Sequence, residues 1–591
     1  MAFVQFPLLQ ISNFIKLPSL ERKFSLFETR SKNIKCNAVT DIIYDHKTVR
    51  RSANFQPTIW HNDYIQSLTT EYVEESYSKQ HNMLQEEVRM ILRKVANPLH
   101  QLELIDILQR LGLSYRFRDE IKRILDNVYN NSHGGEDTHN KDNILYSTSL
   151  EFRLLRQHGY HVSTEVFNSF QNLCNTEDID GMLSLYEASY LLVESETILD
   201  EARDFTSKHL SEFVSRNKDG NNITSALVSH ALELPLHWRI QRLEARWFIG
   251  VYERFHNMNP LLLELAKLDF NMVQATHQED LKQASSWWKK SGLGEKLSFA
   301  RDRLMENFFW TVGIAYEPHL GHSRRMFTKI NALITVIDDI YDVYGTLEEL
   351  ELFTDFIDRW DTKENDTVLP DYMKTCFFAL NSCVEEMALY SLKEHGFHIT
   401  RYLKKAWADL CKSYLVEAKW YHSGYIPTLQ EYSDNAWVSI SAPAILVYAY
   451  FLVSNSITNE ALECLEDSPD IIHLSAMILR LADDLGSSSR ELETGDVAKS
   501  IQCYMKETNS SEEDAREHVM SLIHTTWKNM NKELVSSSPF CEAFKQVAVN
   551  LGRMALCMYQ HGDGHTVQDP ITNDRILSLV IHPIPLAHRK Y

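Results

Sequence analysis

Apolar positions recur at helical spacing through most of the chain. Leu102 to Leu108 and Leu261 to Val273 place apolar residues three and four apart, so each predicts a helix with one buried face. Polar clusters at Asn130 to Asp142 and Asn217 to Asn222 read as turns. Ile330 to Ile337 is apolar almost throughout and predicts a buried helix. No repeat or low-complexity block stands out. With only 19 Gly and 15 Pro in 591 residues, the chain has few turn formers, which favours long helices over sheet. The pattern predicts an all-α protein.

The length implies more than one domain. Arg254 to Pro260 breaks the helical pattern and separates a helical domain at 41–258 from a second at 259–591. The first 40 residues differ from both. They carry Lys16, Arg22, Lys23, Arg30, Lys32 and Lys35 against only Glu21 and Glu28, with Ser12, Ser19, Ser25 and Ser31 interspersed. Such a leader reads as an organelle transit peptide, with a disordered basic tail as the alternative. Ala436 to Ile457 is apolar enough to raise the question of a membrane span. Pro443 interrupts it, so it reads as a buried, kinked core helix, and no stable membrane insertion is expected.

A net charge of −21 argues against a nucleic-acid partner, because phosphate contacts need clustered Lys and Arg. It leaves room for a small anionic substrate met by local cations or metal. The nine cysteines contain no CxxC pair, which fits a reduced compartment without disulfides or a cysteine zinc site.

Candidate chemistry lies in two acidic clusters. Asp338-Asp339-Ile-Tyr-Asp342 closes the apolar helix, and on a helix Asp338 and Asp342 share a face. Carboxylates there are costly unless something cationic meets them, and hard oxygen ligands suit Mg2+. Asp483, Ser487 and Glu491 fall at i, i+4 and i+8 and would form one oxygen-bearing stripe. Read singly, the first cluster has as its alternative a helix terminus running out into solvent, and the second, the more ambiguous of the two, a Ser-rich helix end with ordinary surface acids. Arg301 and Arg303 precede the first, Arg480 precedes the second by a turn, and Lys499 follows it. Near the start of the chain, Arg50-Arg51 stands eight residues before Trp60.

Together these motifs resemble a plant class I terpene synthase, with Arg50-Arg51 pointing to the angiosperm monoterpene subgroup. The likeness extends over Phe152 to Gly159, Arg242 to Arg246, Phe299 to Arg303 and Asp342 to Gly345. The resemblance implies two helical domains. The C-terminal class I α-bundle would be catalytic. The N-terminal α-barrel would be a class II cyclase relict, because no Asp-x-Asp-Asp motif is present and Asp178-Ile-Asp180-Gly181 stops short. Its leading strand, with Arg50, Arg51 and Trp60, would cap the active site. Asp338, Asp339 and Asp342 would hold two Mg2+ ions and Asp483, Ser487 and Glu491 a third, with Mn2+ as an alternative. Arg301, Arg480 and Lys499 would grip the diphosphate, with Arg303 beside them. Trp310 and Tyr559 would face the cation, although aromatics at such positions are more often core.

Ser439 to Pro443 matches a helix break whose carbonyls face the substrate, and Tyr559 to His565 matches a closing loop in which His565 helps. Asn331 would place a polar amide near the cavity, and with Leu479 it departs from the bulky Phe pair of isoprene-forming relatives. The implied activity is Mg2+-dependent ionisation of geranyl diphosphate in the plastid stroma by a monomer or homodimer. The implied product arises from the α-terpinyl cation, as limonene or α-terpineol does. Acyclic monoterpene synthesis (myrcene, ocimene or linalool), a sesquiterpene synthase using farnesyl diphosphate and a non-catalytic helical scaffold remain as alternatives. A chain-elongating prenyltransferase would show a second Asp-Asp-x-x-Asp, whereas the second cluster here is Asp-Asp-x-x-Ser-x-x-x-Glu.

Overall fold

A computed structural model describes residues 50–132, 144–168, 170, 177–217, 222–360, 369–494 and 497–586, with the side chains of 489 and 491–494 outside the description. The expected leader, 1–40, lies outside it too. The described residues are helical with short connections, and none of them forms a β-strand.

The helices of seven or more residues begin with α1 (Glu75–Lys94), α2 (Pro98–Arg110), α3 (Arg118–Ser132), α4 (Ile144–Gln157), α5 (Ile179–Ser189), α6 (Thr197–Arg216), α7 (Ile223–Glu233) and α8 (Gln241–Tyr252). Leu102, Ile105 and Leu108 of α2 face inward at the predicted spacing and are at most 2% exposed. The expected turn from Asn130 starts late, because α3 continues to Ser132; residues 133–143 and 218–221 lie outside the description.

The chain from Arg50 on forms one compact unit. The break at Arg254 to Pro260 leads into α9 (Pro260–Ser291), started by Pro260 and by the Asn259 side chain, which accepts from the Leu261 amide at 3.0 Å. This helix packs against α1 on one side and against α11 on the other, and the apolar core is continuous from Trp60 to Ile584.

After it come α10 (Leu304–Ile314), α11 (Gly321–Asp339), α12 (Leu347–Arg359), α13 (Asp371–His395) and α14 (Thr400–Ser423). They are followed by α15 (Leu429–Ser439), α16 (Ala442–Val453), α17 (Asn459–Glu466), α18 (Asp470–Thr494) and α19 (Ser500–Thr508). The series ends with α20 (Glu512–Val535), α21 (Glu542–Tyr559) and α22 (Pro570–Ile576). Helices α10, α11, α14, α16, α18 and α21 pack in a ring of neighbours, and their inner faces enclose a cavity.

The apolar run expected to form one kinked helix is instead two helices, α15 and α16. The chain breaks at Ile440 and Ser441, and Ser441 takes a left-handed conformation at φ 67°. This is sparsely populated for a residue with a Cβ and tends to persist where the surroundings enforce it. Pro443 sits in the first turn of α16, where its missing N–H costs nothing. The span Leu429–Val453 is apolar enough to cross a membrane by composition, but its apolar window is 72% buried inside the protein. Tyr448 accepts from Trp407 Nε1 at 2.9 Å within that interior.

Candidate active site

The first acidic cluster ends α11. Thirteen residues of α11 besides Asp339 are buried, so the helix delivers its carboxylates from within the core. The sequence implied a plain α-helix here, but residues Ile340–Tyr344 wind as a π-helix in which the Gly345 amide reaches Ile340 O at 2.8 Å. Such a wide turn often marks a functional site. Gly345 is needed where it stands, because a Cβ would lie 2.6 Å from Leu350 and 2.9 Å from Ile340 O.

Asp338, Asp339 and Asp342 all line the cavity. Arg301 meets two of them. Its backbone N–H donates to Asp339 Oδ2 at 2.6 Å, its Nε lies 2.9 Å from Asp339 Oδ1, and its Nη2 lies 2.5 Å from Asp338 Oδ2. Burial raises the Asp339 carboxyl to about 6 even though Arg301 opposes the shift.

The second cluster lies on α18. Arg480 donates to Asp483 and, through Nε at 2.8 Å, to Asp484. Asp484 is fully buried and also accepts from Tyr432 OH at 2.9 Å and the Ser500 amide at 3.1 Å. It therefore ties α18 to the start of α19, where Lys499 lines the cavity. Burial pushes Asp483 up to about 6 against the pull of Arg480. Ser487 follows one turn later and is 1% exposed, and its Oγ has no hydrogen-bond partner. Glu491 lies on the last turn of α18, with its side chain outside the description.

Between the two clusters the cavity encloses about 500 Å³, a size usual for small-molecule sites. Trp310, Ile334, Ile445, Leu479, Leu551 and Tyr559 supply its apolar wall. The Trp310 and Tyr559 rings lie 6.2 Å apart, and burial, reinforced by the charge of Asp483, holds the Tyr559 phenol well above its usual range. Asn331 also lines the cavity, with a buried Oδ1 that has no partner. Ser439 to Ser441 face it at the helix break, held by the Ser439 hydroxyl bond to Glu417. His565 closes one side; burial, reinforced by Arg301, lowers its imidazole to about 3, so it is neutral.

Several sequence expectations are redirected. The expected leading strand is an irregular segment over 50–60, because among the described residues no strand lies beside it to form a ladder. Arg51 and Ser52 to Phe55 do line the cavity, and the Arg51 guanidinium lies 4.0 Å from the Tyr421 ring centroid. Arg50 does not line it. Its fork donates to Glu349 at 2.7 and 2.8 Å, and it lies 4.5 Å from the Tyr344 ring, pinning the segment beside the π-turn. Trp60 is buried away from the cavity and anchors the segment. Arg303 is likewise absent from the cavity wall; its donors go to main-chain carbonyls of Gln56, Asp302 and Thr566. A guanidinium saturated this way has no free edge for a ligand.

Sequence reasoning missed Glu417, Asn307, Phe55, Arg490, Asp563 and Thr566, all on the cavity wall. Asp563 accepts from Arg490 at 2.6 Å and from the Thr566 amide at 2.8 Å, shaping the loop after α21. Its nearness to Tyr559 in the chain was a usable signal. Glu417 carried none, since it sits in an ordinary helical pattern.

The donor set fits hard cations. Asp338, Asp339 and Asp342 line the cavity on one side and Asp483 on the other, with Arg301 on the first two and Arg480 on Asp483, while Ser487 keeps its unpaired hydroxyl one turn beyond Asp483, off the cavity wall. Among the described residues no three His, Cys, Asp or Glu side chains form a closed cage.

Residues 289–529 match the family described as "Terpene synthase family, metal binding domain", and residues 59–232 match "Terpene synthase, N-terminal domain". A chloroplastic myrcene synthase of Quercus ilex is 60% identical over 98% of this chain and 98% of its own. A (−)-α-terpineol synthase of Vitis vinifera is 60% identical over 91% of each. Among solved structures, limonene synthase with 2-fluorolinalyl diphosphate superposes with a TM-score of 0.87 at 46% identity, covering 91% of this chain and 100% of that one. Isoprene synthase from Populus x canescens, in complex with three Mg2+ ions and dimethylallyl-S-thiolodiphosphate, gives 0.81 at 46% identity over 89% and 99%. With matches of this extent over both halves, the chain belongs to the terpene synthase family and carries its metal-binding domain.

Proposed function

We propose that this protein is a monoterpene synthase, a carbon–oxygen lyase that ionises geranyl diphosphate and converts the cation to a C10 product. One observation carries the reading: the first acidic cluster, Asp483 of the second and three cations, Arg301, Arg480 and Lys499, converge on one apolar-walled cavity. Asp338 and Asp342, supported by Asp339, would hold Mg2+ on one rim. Asp483, Ser487 and Glu491 would hold it on the other, three ions in all, with Mn2+ as a substitute. Bound metal supplies charge neutralisation of the departing diphosphate. Arg301, Arg480 and Lys499 add fixed cations around the same anion, and no protein nucleophile is needed.

Once the C–O bond has broken, the cation must be shielded from early quenching. The Trp310 and Tyr559 rings offer faces that attract it, and the carbonyls at the Ser439 to Ser441 break offer dipoles. Asn331 presents an unpaired acceptor able to hold a water or a hydroxyl, which supports cyclic products of the α-terpinyl cation, alcohol included. Relatives' names point both ways: an α-terpineol synthase and a γ-terpinene synthase from Citrus limon, 56% identical, name cyclic products, and the myrcene synthase names an acyclic one, so the cyclic direction rests on the cavity. Apart from residues 51–55, the cavity-lining residues lie beyond 259. This supports a catalytic domain over 259–591 and a non-catalytic scaffold over 41–258. The site of action is the plastid, in keeping with relatives named chloroplastic.

The test is incubation of the leader-free protein with geranyl diphosphate and Mg2+, followed by gas chromatography of the volatiles, with farnesyl diphosphate in parallel. Metal-dependent C10 volatiles that vanish with EDTA are expected. Turnover of the C15 substrate alone would make the protein a sesquiterpene synthase, and no turnover with either would make it a scaffold.

A further inference from the structure

The sequence groups Arg303 with Arg301, but the two side chains point to different tasks. Arg303 is 1% exposed, and its donors go to main-chain carbonyls: that of its neighbour Asp302 and, across the fold, those of Gln56 and Thr566. Its Nη1 and Nη2 each reach Gln56 O at 3.2 Å, and its Nε and Nη2 reach Thr566 O at 3.3 and 2.9 Å. Those carbonyls belong to two covers of the cavity, one formed by residues 51–60 and the other by residues 560–568. A second tie joins the same covers, since Gln568 Nε2 donates to Pro57 O at 3.1 Å. The opposite side of Thr566 faces the acidic rim, where its Oγ1 accepts from Arg301 Nη1 at 2.9 Å. Arg301 in turn holds Asp338 and Asp339. One line of hydrogen bonds thus runs from the first acidic cluster through Arg301, Thr566 and Arg303 to the N-terminal segment.

We propose that Arg303 is a positioning residue that latches the N-terminal cover to the 560–568 loop, so that the two close as one unit when a diphosphate engages Arg301. The proposal rests on the diphosphate reading above. Arginine suits the task because its rigid fork presents five donors and can satisfy two carbonyls at once, which a lysine ammonium cannot do in the same plane. Main-chain carbonyls as targets fix the backbone of both covers directly. Shared closure serves the chemistry, because a cation survives only if water is kept out on both sides together.

Hydrogen–deuterium exchange of the full chain, titrated with inorganic diphosphate in the presence of Mg2+, tests the latch. In the wild-type protein, residues 51–60 and 560–568 should gain protection at the same diphosphate concentration. In Arg303→Lys the loop should still respond, while exchange in 51–60 stays faster than in the liganded wild type by on the order of tenfold, the scale of a lost hydrogen bond or two. The share of water-quenched alcohol among its products should rise. Thr566→Val, which removes Oγ1 but keeps the carbonyl, should blunt the response of both covers while leaving them joined.

Wild-type covers that respond at different concentrations overturn the latch without need of any variant, as does an Arg303→Lys protein that keeps the joint response. Protection of residues 338–344 with neither cover responding overturns the latch alone. No protection anywhere overturns both the latch and the diphosphate reading.

Discussion

Replacing Ser487 by alanine should make the metal-free protein more stable and the enzyme worse. Ser487 lies inside α18, 1% exposed, with an Oγ that has no hydrogen-bond partner. A buried, unpaired hydroxyl costs about 1–3 kcal/mol, and alanine is the better helix former by about 0.5 kcal/mol. Removing one oxygen leaves a void smaller than a methyl group, which returns less than about 1 kcal/mol. The balance favours Ser487→Ala by about 1–2 kcal/mol, read as a later midpoint in urea unfolding with EDTA present. If Oγ serves as a ligand, the Mg2+ concentration needed for half-maximal turnover should rise by at least about tenfold, the scale seen when metal-site partners are removed. A variant that unfolds earlier than wild type would show that Oγ has a protein partner. An unchanged Mg2+ titration would remove Ser487 from the ligand set.

Three further outcomes follow from the geometry. Gly486→Ala places a Cβ 2.9 Å from both Cβ and O of Tyr559 and 3.2 Å from Gly562 O, so the loop must shift. A loss of about 1–3 kcal/mol in stability is expected, with a larger fall in kcat than in the unfolding midpoint; wild-type turnover would refute the close approach. Arg480→Met strips the cation from Asp483 and the fully buried Asp484 and should cost about 3–5 kcal/mol, partly recovered in the Arg480→Met, Asp484→Asn double variant; no recovery would count against the pairing.

The third outcome concerns Glu244. Burial alone would push its carboxyl up, but Arg110, at 2.9 Å, and His230, at 2.7 Å, hold it down at about 2, below its ordinary 4.5. A depressed carboxyl stabilises the fold above its unfolded value and loses that contribution as pH falls from about 4.5 toward 2. Glu244→Gln should flatten the pH dependence of the unfolding midpoint in that window, and an unaltered slope would refute the assignment.

Local pattern made much of this protein legible. The spacing of Leu102, Ile105 and Leu108, the run from Leu261 to Val273 and the scarcity of Gly and Pro announced helices. Carboxylates at the end of an apolar helix announced an unusual charge requirement. These signals survive in the sequence because helix faces and caps depend on neighbours three or four residues away.

What the sequence alone could not assign were roles that depend on partners far along the chain. Arg301 and Arg303 stand two residues apart with the same side chain, yet one holds Asp338 and Asp339 and the other holds the backbone at Gln56 and Thr566. Arg50 and Arg51 part in the same way, toward Glu349 and toward the cavity. The π-turn after Asp339 and the left-handed Ser441 are set by packing around them, not by intrinsic preference. The chain by itself determined the helices, the two acidic clusters and the family. Tertiary structure decided which charges face the cavity, because the direction of a side chain and the partner that neutralises it are settled only where distant segments meet.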